Sequence, residues 1–137
     1  EEFAMYSGND DMITSMLALG ASGVISVLAN VVPKETHDIV VRWHDGDVTA
    51  SRNAQLRYLD LIEALFLDVN PIPVKQAMRA MGYDVGRCRL PLCDMDPTNA
   101  EKLYSVLKQY GLVENVKAGS VTVRRASGTG RVLQSNV

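Results

Sequence analysis

The chain has 137 residues, 47% of them apolar, which suits one soluble domain with a buried core. Its net charge of −2, with acids and bases interspersed, points to neither a nucleic-acid nor a lipid partner. No apolar run approaches the roughly 20 residues of a membrane span.

Phe3 to Ser7 is a short apolar run closed by Gly8 and is predicted to be a buried strand. Asn9, Asp10 or Asp11 can cap the next helix, because a short side-chain oxygen accepts from the free N–H groups of a first turn. Ile13, Met16, Leu17 and Leu19 give that helix an apolar face, and Gly20 stops it by tolerating left-handed dihedrals. Val24 to Leu28 is a second continuous apolar run. Unbroken hydrophobicity is expected of a strand buried on both faces of a parallel sheet. About 15 residues separate the two runs, room for one short helix, so a right-handed strand–helix–strand unit is predicted.

Pro33 suits the first turn of another helix carrying Ile39, Val40, Val41 and Trp43, which Asp45-Gly46-Asp47 breaks. A long helix is predicted from Val48 to Leu67, with Leu56, Leu59, Ile62, Leu65 and Phe66 facing inward. Asn70-Pro71-Ile72-Pro73 cannot extend it, since each proline lacks an N–H and drives its predecessor toward extended dihedrals. Helix resumes over Val74 to Met81, with Val74, Ala77, Met78 and Met81 inward. Gly82 and Gly86 bracket a loop that carries Arg89-Leu90-Pro91-Leu92. Asp96-Pro97 opens a last helix, apolar at Leu103, Val106, Leu107 and Tyr110 and ended by Gly111. Beyond it Gly, Ser and Thr increase. Lys117, Arg124, Arg125 and Arg131 against Glu114 make this tail +3 and leave −5 for residues 1–111. It is expected to be poorly ordered from Arg124 onward, with one short strand near Val121.

Gly8 and Ile25 stand out by position, at or near the C-terminal ends of two predicted parallel strands, where barrel active sites are built. A glycine there admits a ligand close to the backbone. The plainer readings are that Gly8 turns the chain and that Ile25 packs in the core, its side chain having no chemistry to offer. Cys88 and Cys93 share a loop. Reduced thiols are the first reading, ahead of a disulfide or a metal site, because His37 and His44 lie far upstream. Both histidines are placed on a surface helix, facing solvent. Arg124-Arg125-Ala126-Ser127 reads as a solvated tail, and Gly128-Thr129-Gly130 lacks the strand–helix context of a phosphate loop.

The ordered series Tyr6-Ser7-Gly8-Asn9-Asp10-Asp11, Gly23-Val24-Ile25-Ser26-Val27, Asn70-Pro71-Ile72-Pro73-Val74-Lys75 and Arg89-Leu90-Pro91-Leu92 resembles the C-terminal part of the dihydrodipicolinate synthases. These belong to the wider N-acetylneuraminate lyase group of Schiff-base aldolases. The resemblance implies an α/β fold that is a partial (β/α)8 TIM barrel. Residues 1–45 would be its seventh and eighth βα units, 46–112 a C-terminal helical region, and 113–137 the tail. A complete barrel takes about 250 residues, so this chain holds only part of one. It begins Glu1-Glu2-Phe3 rather than with Met, and is read as a processed, cloned or incompletely sequenced piece.

In that family a sixth-strand lysine forms an imine with pyruvate, and the derived enamine adds to aspartate semialdehyde in lysine and diaminopimelate biosynthesis in the cytoplasm. The resemblance assigns Gly8 to the glycine after the seventh strand, whose backbone faces the second substrate. It assigns Ile25 to the eighth-strand isoleucine, whose main chain lies against pyruvate. Asn9 departs from the commoner aspartate, keeping a carbonyl acceptor without the charge. The reactive lysine, the proton-relay tyrosine, the paired threonines and the substrate arginine have no counterpart here. No catalytic residue, metal ligand or cofactor is therefore assigned, and the chain alone is expected to be inactive. Lys34 and Lys75 are read as solvated or structural, and Tyr6 is misplaced for the relay. The parent is expected to be a homo-oligomer, commonly a tetramer. Two alternatives stay open: a related keto-acid aldolase such as N-acetylneuraminate lyase, and a non-catalytic module that pairs with a complementary half.

Overall fold

A computed structural model describes residues 3–113, 116–117 and 120–121. Two short strands, β1 (Tyr6–Ser7) and β2 (Gly23–Val24), pair in parallel with Tyr6 opposite Gly23 and Ser7 opposite Val24. Between them run a 3-10 turn (Asp10–Met12) and helix α1 (Ile13–Ala18), so the predicted strand–helix–strand unit is present. Gly20 ends α1 with φ of 93°. The Tyr6 ring lies over Gly23, where a Cβ would stand 3.4 Å from it, which explains a glycine facing that ring.

Two expectations about these strands are corrected. The run Val24–Leu28 is not a strand throughout. After Val24 the chain turns, and Leu28–Asn30 forms a 3-10 turn. Nor is the first run buried, for Phe3 is 91% exposed and Met5 and Tyr6 are also open. A strand with apolar side chains has nothing to bury them against when only one neighbour is present.

Helix α2 (Pro33–His44) starts on Pro33, whose missing N–H costs nothing in a first turn. Asp47 caps α3 (Val48–Arg57) by accepting from the Ala50 amide at 3.0 Å. The long helix expected to Leu67 is interrupted at Tyr58 (φ −101°, ψ 5°) and resumes as α4 (Leu59–Ala64). The Tyr58 ring stacks on Tyr110 at 5.4 Å, and the Tyr110 hydroxyl donates to the Arg57 carbonyl, which ends α3 there. The inward face changes with the break. Leu56 is 56% exposed and Phe66 is exposed, whereas Ser51, Gln55, Tyr58 and Leu61 are buried.

Helices α5 (Ile72–Ala80) and α6 (Pro97–Gln109) follow as expected, α5 beginning two residues earlier than Val74. Asp96 caps α6 by accepting from the Thr98 and Asn99 amides. The main core gathers Leu61, Ile62 and Leu65 beside α4, Val74 and Ala77 of α5, and Leu103 and Leu107 of α6. Leu28, Val31 and Val32 join it from the turn after β2. A smaller cluster of Ile13, Leu17 and Ile39 lies between α1 and α2. In the tail, β3 (Val116–Lys117) and β4 (Ser120–Val121) pair antiparallel, with Val116 opposite Val121. The reading of poor order from Arg124 lies outside the described residues.

Candidate functional site

The ladder between β1 and β2 ends where the Ile25 amide donates to the Ser7 carbonyl at 2.9 Å. The next amide on the first strand, that of Asn9, turns back onto Ser7 Oγ at 3.3 Å, while the hydroxyl donates to the Asn9 carbonyl at 2.8 Å. This local closure stops the pairing. Neither backbone group of Gly8, nor the Ile25 carbonyl, has a hydrogen-bond partner among the described residues. Backbone groups left free at paired strand ends are suited to a polar ligand, because each must otherwise be satisfied by water.

Gly8 and Ile25 are thus brought together across the strand pair, at its C-terminal end. Gly8 does not occupy the left-handed region, and a Cβ there would meet nothing within 4 Å among the described residues. The chain bends at Gly8, but no left-handed dihedral requires a glycine there. Ile25 is 72% exposed, so its side chain is not packed in the core that the described residues form.

Asp10, offered above as a helix cap, does something else. It is 2% exposed, and its Oδ2 accepts from the Val27 amide at 3.0 Å and the Leu28 amide at 2.8 Å. Its own helix receives no side-chain cap. Gln55 of α3, also buried, donates from Nε2 to the Asp10 carbonyl at 2.8 Å. Asp10 Oδ1 and Gln55 Oε1 are buried without a partner among the described residues. Residue patterning missed both roles. A signal was present in Ser51 and Gln55, polar residues one helical turn apart on the side of α3 that packs inward. Ser51 Oγ donates to the Ile39 carbonyl at 2.6 Å and lets α3 approach α2 closely.

The lysines behave as structural or solvated groups. Lys34 Nζ pairs with Asp38 at 2.5 Å, and that hydrogen bond holds the ammonium above its ordinary pKa and the carboxylate below its own. An imine-forming lysine needs the opposite shift. Lys75 Nζ donates to the Arg87 carbonyl at 2.9 Å and ties α5 to the following loop. His37 faces solvent, while His44 Nε2 lies 3.2 Å from the Ser22 carbonyl and so has a backbone partner the sequence did not reveal. Cys88 and Cys93 are free thiols. Among the described residues no group of three His, Cys, Asp or Glu side chains could hold a metal, and no helix is long and apolar enough to cross a membrane.

The described residues thus form part of an α/β fold in which helices predominate, with free backbone groups where two parallel strands end. The chain belongs to the Dihydrodipicolinate synthetase family, whose profile matches residues 1–110. It is 57% identical over 112 residues to the 4-hydroxy-tetrahydrodipicolinate synthase of Acetivibrio thermocellus, which covers 82% of this chain and 38% of that protein. The crystal structure of the dihydrodipicolinate synthase of Aquifex aeolicus superposes with a TM-score of 0.80 at 42% identity, over 84% of this chain and 40% of that one. The chloride-inhibited synthase of Acinetobacter baumannii, solved in complex with pyruvate, superposes with a TM-score of 0.76 at 36% identity, over 81% of this chain and 38% of that one. The chain therefore spans about two fifths of the length of these relatives.

Proposed function

We propose that this chain supplies the last two βα units and the C-terminal helices of a pyruvate-dependent Schiff-base lyase that condenses pyruvate with aspartate semialdehyde. On this reading β1 and β2 are neighbouring staves of a (β/α)8 barrel, residues 1–45 carry them, and residues 46–112 are the helical region behind them. Residues 113–137 are a tail outside the barrel. The observation that carries the reading is the pairing of β1 with β2, which sets Gly8 and Ile25 side by side with unpaired backbone groups. The pyruvate complex of the Acinetobacter baumannii relative supports pyruvate as the first substrate.

The division of labour follows from residue chemistry. The amine that attacks the pyruvate carbonyl comes from the sixth strand, outside this chain. The imine then serves as the electron sink that lets the methyl carbon become a nucleophile. This chain contributes position. The Ile25 main chain lies against the bound pyruvate, and Gly8 leaves space and free backbone for the incoming aldehyde. Neither role needs a reactive side chain.

The test joins the upstream remainder of the Acetivibrio thermocellus synthase to the full chain. Borohydride and pyruvate should label a lysine of the fusion, and the fusion should condense pyruvate with aspartate semialdehyde. The chain alone should do neither. A folded fusion that traps no pyruvate would refute the assignment.

A further inference from the structure

Among the buried polar groups, Asp10 is the one that joins both strand ends to the helical region. It sits two residues beyond Gly8, reaches across to the turn after Ile25, and is held from behind by Gln55 of α3. Bonds from two consecutive amides to one carboxylate oxygen fix the direction of the peptide units at Val27 and Leu28. The Ile25–Ser26 segment is then pinned at both ends, by the Ser7 carbonyl before it and by Asp10 after it. Ser26 Oγ tightens the same turn by accepting from the Ala29 amide at 2.9 Å. This clamp replaces the strand that the apolar run Val24–Leu28 would otherwise form, while the Asn9 amide, turned back onto Ser7 Oγ, leaves the Ile25 carbonyl free.

We propose that Asp10, braced by Gln55, is a positioning residue that sets the Ile25 main chain against pyruvate. The inference rests on the reading above that Ile25 faces pyruvate. A displacement of about 1 Å at a reacting centre can cost roughly a hundredfold, so a group holding this turn should be felt in pyruvate kinetics. Because both amides share one oxygen, Asp10→Asn keeps them with its carbonyl and puts donors where Oδ1 has no partner. Asp10→Ala removes the clamp.

The experiment uses the fusion with the full chain and measures both substrates separately. Asp10→Ala is expected to raise the pyruvate KM by roughly tenfold to a hundredfold, the upper end being the scale of a displacement of about 1 Å, while the KM for aspartate semialdehyde moves by less than about threefold. Asp10→Asn should restore the pyruvate KM to within about threefold of the parent, since the acceptor oxygen and the geometry are retained. If Asp10→Ala does not fold, Gln55→Ala decides the matter, with a rise in pyruvate KM expected in folded protein. A pyruvate KM unchanged in folded Asp10→Ala or Gln55→Ala protein, or an equal rise for both substrates, would overturn the proposal, as would an Asn variant no better than Ala. A parent fusion that traps no pyruvate removes the underlying reading, and this proposal with it.

Discussion

Gly8→Ala separates a glycine kept for its backbone from one kept for what lies in front of it. In this chain Gly8 has a φ outside the left-handed region, and the added methyl would meet nothing within 4 Å among the described residues. A Gly→Ala change at a compatible φ stabilises by about 0.4–1 kcal/mol, chiefly by narrowing the unfolded ensemble. In a fusion of ordinary barrel size that corresponds to a Tm rise of roughly 1–4 °C. The kinetic effect runs the other way. A methyl at the strand end intrudes on the space proposed for aspartate semialdehyde, and a shift of about 1 Å would lower kcat/KM for that substrate by roughly a hundredfold. Trapping of pyruvate by borohydride should persist, because imine formation precedes the second substrate. Thermal unfolding, single-substrate trapping and condensation kinetics on one preparation give all three readouts. A Tm lowered by several degrees with condensation intact would refute the reasoning, since the glycine would then be serving contacts with the upstream strands.

Leu107→Ala removes a side chain with no exposed surface from the core where α6 meets α4 and α5. It should cost about 2–5 kcal/mol, read from the urea midpoint of the fusion, with an unchanged m-value. Asp96→Ala takes away the acceptor for the Thr98 and Asn99 amides and should cost about 1 kcal/mol in the same assay, with Asp96→Asn largely neutral. Burial holds the Tyr58 and Tyr110 hydroxyls above the ordinary tyrosine pKa, with nearby Glu35 and Asp60 respectively adding to it. Folded protein therefore keeps these protons after the unfolded chain has lost them. Stability contributed by the pair is full below the unfolded tyrosine pKa of about 10 and is lost as pH rises from there through the raised folded-state values. Tyr110→Phe should flatten that decline in urea titrations taken between neutral and strongly alkaline pH.

What local pattern could reveal follows from what local forces decide. Helices α2, α5 and α6 have apolar residues at helical spacing and their own start signals in Pro33, the Pro71–Pro73 segment and Asp96-Pro97, and all three form close to the expected bounds. The errors fall where a distant residue takes over. Val24–Leu28 has the β-branched composition of a strand, but Asp10 claims the Val27 and Leu28 amides from 17 and 18 residues away. Val48–Leu67 has the spacing of one helix, but the Tyr110 hydroxyl takes the Arg57 carbonyl across 53 residues. Window-based periodicity contains neither partner. Gly8 and Ile25 were visible for a different reason, as strand ends joined by one short helix, while Asp10 and Gln55 were hidden because a polar residue in sequence reads as exposed.

The two parts of the chain differ in how completely they satisfy themselves. Around α4, α5 and α6, apolar side chains from several elements close over one another, and Leu61, Leu65, Leu103 and Leu107 have no exposed surface. At the strand pair the balance is reversed, with Phe3, Met5, Tyr6 and Ile25 all open to solvent. Exposed apolar side chains are covered in a stable assembly where they form a contiguous patch. A parallel strand gains its full burial only with neighbours on both edges and helices on both faces. The family relationship is therefore legible from this chain, since its marks lie in the strand-end loops and the self-contained helices. The chemistry is not, because the groups given a substrate role at these strand ends, Gly8 and the Ile25 main chain, are backbone. A site made of main-chain groups can orient a substrate but cannot form its covalent intermediate, so on the function proposed above the amine that captures pyruvate comes from outside this chain.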